Sequence, residues 1–202
     1  MRYPAYLEIG PTGHCIAYVF SLPGFSLRER RAADTLAALP AAIAAELARL
    51  GAPADPAIEV SEAERVEVKS DVEHGASTAS FKYELRPTRD EDVALALERM
   101  ERARIEMASA DDEAWRALAD GEWWLLSRLA ERPNAAYSAE PRERFAAVRA
   151  ATIERLTNLL PGDRERHAVF GGEIWTTRKV LRRLACHARD AALATTTRIS
   201  RG

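Results

Sequence analysis

The sequence predicts an α+β protein in two parts: a small β-β-α-β-β module over residues 1–87 and a four-helix bundle over residues 88–202. Three observations predict it. Up to Pro87 the chain alternates short β-rich runs, Gly/Pro turns and a single helical stripe. Beyond Pro87 the apolar residues recur at steps of three and four through four segments, each bounded by a cap residue, proline or glycine. The composition, 47% hydrophobic and 30% charged over 202 residues, is that of a globular chain able to bury one large core or two small ones.

The first module opens with Tyr6-Leu7-Glu8-Ile9, a turn at Gly10-Pro11-Thr12-Gly13, and the run Cys15–Phe20, which together read as a hairpin. Pro23-Gly24 breaks the second strand. Ser26-Leu27-Arg28-Glu29 has the spacing of a capping box and predicts a helix start. Leu36, Leu39, Ile43, Leu47 and Leu50 form its buried stripe, Gly51 ends it, and Pro40 predicts a kink or a restart within it. After the Ala52–Pro56 linker, Ile58–Val60 and Val66–Val68 read as β-rich, and Phe81–Leu85 alternates apolar and charged residues like a half-exposed strand ended by Pro87.

The second part reads as four helices. Asp90–Ala110 carries Val93, Leu97, Met100, Ile105 and Met107, with Thr88 or Asp90 as cap. Asp111–Ala130 carries Trp115, Leu118, Trp123, Leu125, Leu126 and Leu129 and stops at Pro133. Pro141–Leu160 begins with proline in the first turn, where a missing N–H costs nothing, and Pro161-Gly162 closes it. The fourth runs from Glu173 to about Arg198; Val180, Leu184, His187, Ala191 and Ala194 share one side, and Arg178, Lys179, Arg182, Arg189 and Arg198 mostly fall on the other flanks. Four such helices joined by short connections pack most simply as a bundle.

The net charge of −2 gives no global reason to expect DNA, RNA or a membrane surface as partner, although the chain beyond Glu173 is basic. Cys15 and Cys186, far apart in sequence, argue against a disulfide framework and for a reducing cytoplasm. No charged-then-apolar leader opens the chain and no run approaches a membrane span, so the expectation is a cytoplasmic protein.

The run Tyr6–Ile9, His14–Phe25 with its Leu22-Pro23-Gly24 element, and the Leu36–Ile43 helix resembles the HicB-like fold over roughly the first seventy residues. That resemblance implies a module that, in antitoxins, masks a small RNA-cleaving toxin; here a helical bundle stands in place of the usual DNA-binding tail. Glu122–Leu129, Arg149–Leu159 and above all Trp175–Leu181 with His187-Ala188-Arg189-Asp190 resemble the DinB/YfiT-like four-helix bundles over about half the chain. Many members hold a divalent metal through three histidines, two of them four residues apart on the last helix, and some transfer small thiols. His187 matches the first histidine of that pair, Ala191 stands at its partner's position, Arg183 occupies the slot one turn earlier, and the second helix offers Glu122. At most one of the three ligands is retained, so the resemblance implies a degenerate site: a standard zinc or nickel centre is not expected, and no cofactor is assigned.

His187 is the candidate metal ligand and catalytic residue. It would bind an ion with Glu122 or Glu106 and water, or act as a base toward a thiol. Alternatively it is a buried histidine hydrogen-bonded to a neighbouring helix, which single histidines more often are. Cys186 adjoins it, but helix neighbours point about 100° apart, and Cys15 beside His14 on a strand faces the same objection. His167 falls in the loop before the last helix and His74 in a solvated turn. Trp175 reads as core; Trp123 and Trp124 cannot both face inward, which leaves one for a pocket or interface.

The functional expectation is a small molecule, possibly a thiol, bound in the bundle core. His187 would be acid/base or polar anchor and Glu122 its partner carboxylate; Arg178 or Arg183 would hold an anionic group, with Trp123 and Trp175 lining the site. The competing expectation is a non-enzymatic interaction module, in which the first part binds a protein or RNA partner and the bundle forms a homodimer.

Overall fold

The computed structural model of the chain describes residues 1–53, 57–129 and 138–199. The Ala52–Pro56 linker lies partly, and Ala130 and Pro133 wholly, outside them. The chain divides into two compact units, Met1–Phe81 and Lys82–Gly202. The class is α+β.

In the first unit, β1 (Arg2–Ile9), β2 (Cys15–Tyr18) and β3 (Ser26–Glu29) form an antiparallel meander; α1 (Ala32–Arg49) follows, then β4 (Glu59–Glu67). The sheet order is β3-β2-β1-β4, with β4 parallel to β1. The expected hairpin turn is present: Gly10 N–H donates to His14 O at 2.9 Å, and Gly13 sits at φ +86°, where a side chain would be strained.

Ser26–Glu29 corrects the capping-box expectation. The segment pairs with β2 in the register Tyr18↔Ser26 to Cys15↔Glu29, and the helix starts six residues later than Ser26, at Ala32. A ladder of pairing partners outweighs a local cap signal. The order is therefore β-β-β-α-β. The helix runs on through Pro40 without a restart, and Gly51 adopts φ +70° just beyond its end.

The sheet is covered on both faces. Tyr3, Ala5, Leu7, Cys15, Ala17 and Val19 pack with Leu39 and Ile43 of α1. On the opposite face Tyr6, Tyr18 and Phe20 meet Phe81, with ring centroids 5.6–5.8 Å from it. That face also holds Glu8, fully buried, whose carboxylate accepts hydrogen bonds from Tyr18 Oη (3.1 Å), Ser77 Oγ (2.6 Å), Thr78 N (2.6 Å) and Ala79 N (2.9 Å). A buried carboxylate is tolerable when its lone pairs are filled in this way, and the bonds pin residues 77–79 onto the sheet. Phe81–Leu85 is not a strand. Phe81 ends the first unit, and Lys82–Leu85 is a single 3₁₀ turn opening the second. Phe81 and Glu84 are the buried residues of this stretch, a spacing of three that suits a 3₁₀ turn rather than the alternation of a strand.

The second unit contains α2 (Asp90–Glu106), α3 (Asp112–Leu126), α4 (Pro141–Thr157), the one-turn α5 (Pro161–Arg164), a hairpin of β5 (His167–Phe170) and β6 (Glu173–Thr176), and α6 (Thr177–Ile199). The four long helices close a ring: α6 packs on α2 and α3, and α4 packs on α3 and α2. Their core is Val93, Met100, Trp115, Leu118, Leu126, Phe145, Leu156, Trp175, Val180, Leu184 and their neighbours. Asp111 caps α3 by accepting from Ala114 N at 2.8 Å, and Pro141 occupies the first turn of α4. The last helix starts at Thr177, not Glu173. Glu173–Thr176 pairs with His167–Phe170 across Gly171-Gly172, both at positive φ. Ile105, expected in the stripe of α2, is 60% exposed. Among the described residues no helix is long and apolar enough to cross a membrane.

Candidate functional site

Of the basic flank expected on α6, the first three members are inside the protein, Arg189 is half-buried, and the Arg198 side chain lies outside what is described. Arg178, Lys179 and Arg182 are all buried, because the first two turns of α6 are enclosed on every side rather than on one stripe. Each cation has a carboxylate. Arg178 meets Asp92 at 2.6 Å, donates to the carbonyls of Arg86 and Pro87, and lies over the Tyr83 ring. Lys179 Nζ reaches Glu173 at 2.7 Å and Ile174 O at 3.0 Å, and burial pushes its pKa down. Arg182 Nε meets Glu84 at 2.7 Å. Arg183 is half-buried over the Trp175 ring, 5.8 Å from its centroid. Arg178 is thus committed to structure, and the site residues expected to bind an anion are spread over the hairpin end of α6.

Glu122 is committed as well. It is buried on α3, and Arg149 of α4 donates to it through Nε (2.9 and 3.1 Å) and Nη2 (2.8 Å), while Arg149 Nη1 donates to Met100 O of α2 at 3.2 Å. Glu106, the other carboxylate considered for an ion, accepts from Arg102 Nε at 3.3 Å. Among the described residues no group of three or more His, Cys, Asp or Glu is placed to hold a metal ion.

Trp175 is core, 2% exposed, as its spacing predicted. It belongs to β6 rather than to the helix. Trp124, 41% exposed, meets it edge-on at 5.5 Å, and the Arg128 guanidinium lies 4.3 Å over the Trp124 ring. Trp123 is half-buried against the core. Neither cysteine offers a thiolate. Cys186 is enclosed, and burial pushes its thiol up to about 12; burial raises Cys15 too, and both are free. His74 is exposed and bonds Asp71 at 2.7 Å. His167 is exposed on β5, with Nε2 3.2 Å from Leu85 O.

His187 remains. It sits half-buried at the edge of the buried stripe of α6, which runs through Val180, Leu184, Ala188 and Ala192. Its Nε2 is 3.3 Å from Leu118 O on α3. A carbonyl only accepts, so Nε2 carries the proton in this bond. The ring fits because residue 121 is glycine: a Cβ there would lie 2.9 Å from Cδ2 and closer still to Cε1 and Nε2. Gly121 stands inside α3, where glycine costs roughly 0.8–1.0 kcal/mol relative to alanine. Beside the ring is a cleft of about 250 Å³ between α3 and α6, lined by Ala114, Ala117, Leu118, His187, Asp190, Ala191, Ala194 and Thr195.

No family model, no curated protein and no solved structure matches this chain.

The residues around His187 and Glu122 that the sequence pattern did not single out are Gly121, Arg149 and Asp190. The first had a signal: an isolated glycine within a strong helical pattern marks a close approach. Arg149 had none, because nothing in a helical period pairs it with a glutamate 27 positions earlier.

Proposed function

We propose that the second unit is a DinB-like bundle that holds a small molecule in the cleft between α3 and α6 with His187 as its polar anchor, and that the first is a HicB-like module preceding it in a cytoplasmic protein. The observation that carries the reading is Gly121. A glycine inside a helix weakens that helix, and here it makes the room in which the imidazole stands at the cleft wall. The alternative for such a position, alanine with the histidine turned away, would give a better helix and no polar group at this wall. Support for the family assignments is the resemblance of Trp175–Leu181 and His187–Asp190 to DinB-like last helices and of Tyr6–Phe25 to the HicB-like hairpin.

The reading is one of binding without metal assistance. Glu122 answers Arg149, both thiols are buried, and beside His187 the wall holds a single carboxylate, Asp190, among alanine, leucine and threonine. At about 250 Å³ the cleft is smaller than the roughly 300–1,000 Å³ of drug-sized sites, so its occupant is small.

The test is titration of the ¹⁵N-labelled protein with n-butanol, n-butylammonium and butyrate, followed by amide shifts. At least one probe is expected to shift Ala114, Ala117, Ala191 and Ala194 saturably, and Ala191→Phe, which fills the cleft, to remove the response. If no probe moves these amides, the small-molecule reading fails.

A further inference from the structure

We propose that Arg128 binds an organic carboxylate, at a site independent of His187 and its cleft. Arg128 stands in the turn just after α3, and its guanidinium lies over three rings. The guanidinium carbon is 4.3 Å from the centroid of Trp124, 5.3 Å from Phe170 and 5.5 Å from Trp175. Trp175 and Phe170 come from the β5–β6 hairpin, where the pairs Ala168↔Trp175 and Phe170↔Glu173 fall on one face. Rings of this kind cushion a positive charge with their π faces. They leave its hydrogen-bonding needs unmet, because an indole nitrogen only donates and a phenyl ring has no lone pair.

Nothing else among the described residues meets those needs. No carboxylate, carbonyl or hydroxyl of theirs is bonded to the Arg128 side chain, and its Nε–H is buried without an acceptor. Other cations of this end are answered. Lys179, over the same Trp175 ring, meets Glu173 at 2.7 Å. Arg166 donates to the carbonyl of Leu129, the next residue, at 2.7 Å, and Arg155 meets Asp163 at 2.8 Å. Arg128 is half-buried with Nε as its enclosed atom, so Nη1 and Nη2 are what it presents to solvent. Two terminal nitrogens in one plane match the two oxygens of a carboxylate. One guanidinium also matches one negative charge, and the rings keep water from its flanks, which strengthens the pairing. Trp124, exposed beside it, gives an aromatic body attached to that carboxylate a surface to lie on. A cation arriving here meets a like charge, and a neutral body gains the ring contact alone.

The experiment titrates benzoate, benzyl alcohol, benzylammonium and inorganic phosphate into the full ¹⁵N-labelled chain. The readout is the indole N–H signal of Trp124, assigned by its loss in Trp124→Phe. Arg128→Gln removes the charge, and Arg128→Lys keeps the charge but removes the planar fork; thermal unfolding checks that both are folded, and Arg128→Lys decides if Arg128→Gln is not. Benzoate is expected to shift the signal saturably, with benzyl alcohol and phosphate at least about tenfold weaker and benzylammonium without effect. Benzoate should weaken by about tenfold or more in Arg128→Gln and by a smaller, measurable factor in Arg128→Lys, with benzyl alcohol unchanged in both. Benzyl alcohol binding as tightly as benzoate, or benzoate binding unaltered in both variants, overturns the proposal. So does benzoate binding that emerges only in Glu131→Gln, since a carboxylate of the chain itself would then be the partner of Arg128. Phosphate binding as tightly as benzoate overturns the assignment to carboxylates, and silence from all four probes removes the site.

Discussion

Gly121→Ala is the substitution that examines the site most directly. Alanine is the better helix former by roughly 0.8–1.0 kcal/mol, so α3 considered alone predicts a gain in stability. The ring of His187 predicts the reverse. The new methyl would stand 2.9 Å from Cδ2 and nearer to two further ring atoms, against an ordinary contact of about 3.5–4.0 Å. The imidazole must swing out and give up the bond to Leu118 O, or the two helices must part. Overpacking of this kind costs about 1–3 kcal/mol, which offsets or outweighs the propensity gain and leaves a net loss of up to about 2 kcal/mol. In a His187→Ala background the obstacle is gone and only the propensity gain of up to about 1 kcal/mol survives. The propensity gain cancels in this cycle, so urea unfolding of its four proteins should give a coupling equal to the overpacking cost, about 1–3 kcal/mol. Additivity within about 0.5 kcal/mol, or a Gly121→Ala variant more stable than the parent, would mean that the ring does not rest on the backbone of α3.

Three further outcomes follow from the same interior. Arg149→Met strands the buried Glu122 carboxylate and should lower stability by about 3–5 kcal/mol in urea, whereas the double change with Glu122→Leu should recover most of the loss. Cys186 should resist iodoacetamide at pH 8 in the native protein and react once urea unfolds it, since its thiol is pushed up to about 12; rapid native labelling would contradict its burial. The hydrogen bond from Arg155 at 2.8 Å holds the Asp163 carboxyl below its ordinary 3.8, so its stabilising share is complete above the unfolded-state value and fades as pH falls through the lower folded one. Asp163→Asn should thus reduce the urea midpoint at pH 6 but have little effect at pH 2; an equal effect at both would refute the assignment.

Much of the helical frame was legible because helix ends are written locally. Asp111, Pro141 and Gly51 each act where the pattern puts them. The strands were less legible, since a strand needs a partner that the local pattern does not name. Ser26-x-x-Glu29 satisfies a capping rule, yet its backbone is claimed by β2. His167–Phe170 and Glu173–Thr176 are four residues each, too short for alternation to stand out, and only Gly171-Gly172 marks their turn. Phe81–Leu85 alternates in polarity, but burial at 81 and 84 follows a period of three. Trp175 was legible as core although its element was not.

Charge was the least legible property, and this bears on what the interior of the second unit can do. Arg178, Lys179 and Arg182 look like a solvated face when only their own helix is considered, because helical periodicity assigns long cations to the outside. Each is neutralised by a group from another segment: Asp92 at the start of α2, Glu173 on β6 and Glu84 in the 3₁₀ turn. The same holds for Glu122, the carboxylate that α3 offers as a candidate ligand. The Arg149 guanidinium donates to both oxygens of that carboxylate through Nε and Nη2, and through Nη1 to Met100 O of α2. An ion competing for Glu122 would have to displace Arg149 and leave a buried cation unpaired, at a cost of several kcal/mol. Among the described residues, the His187 imidazole and its cleft between α3 and α6 lie apart from these pairs.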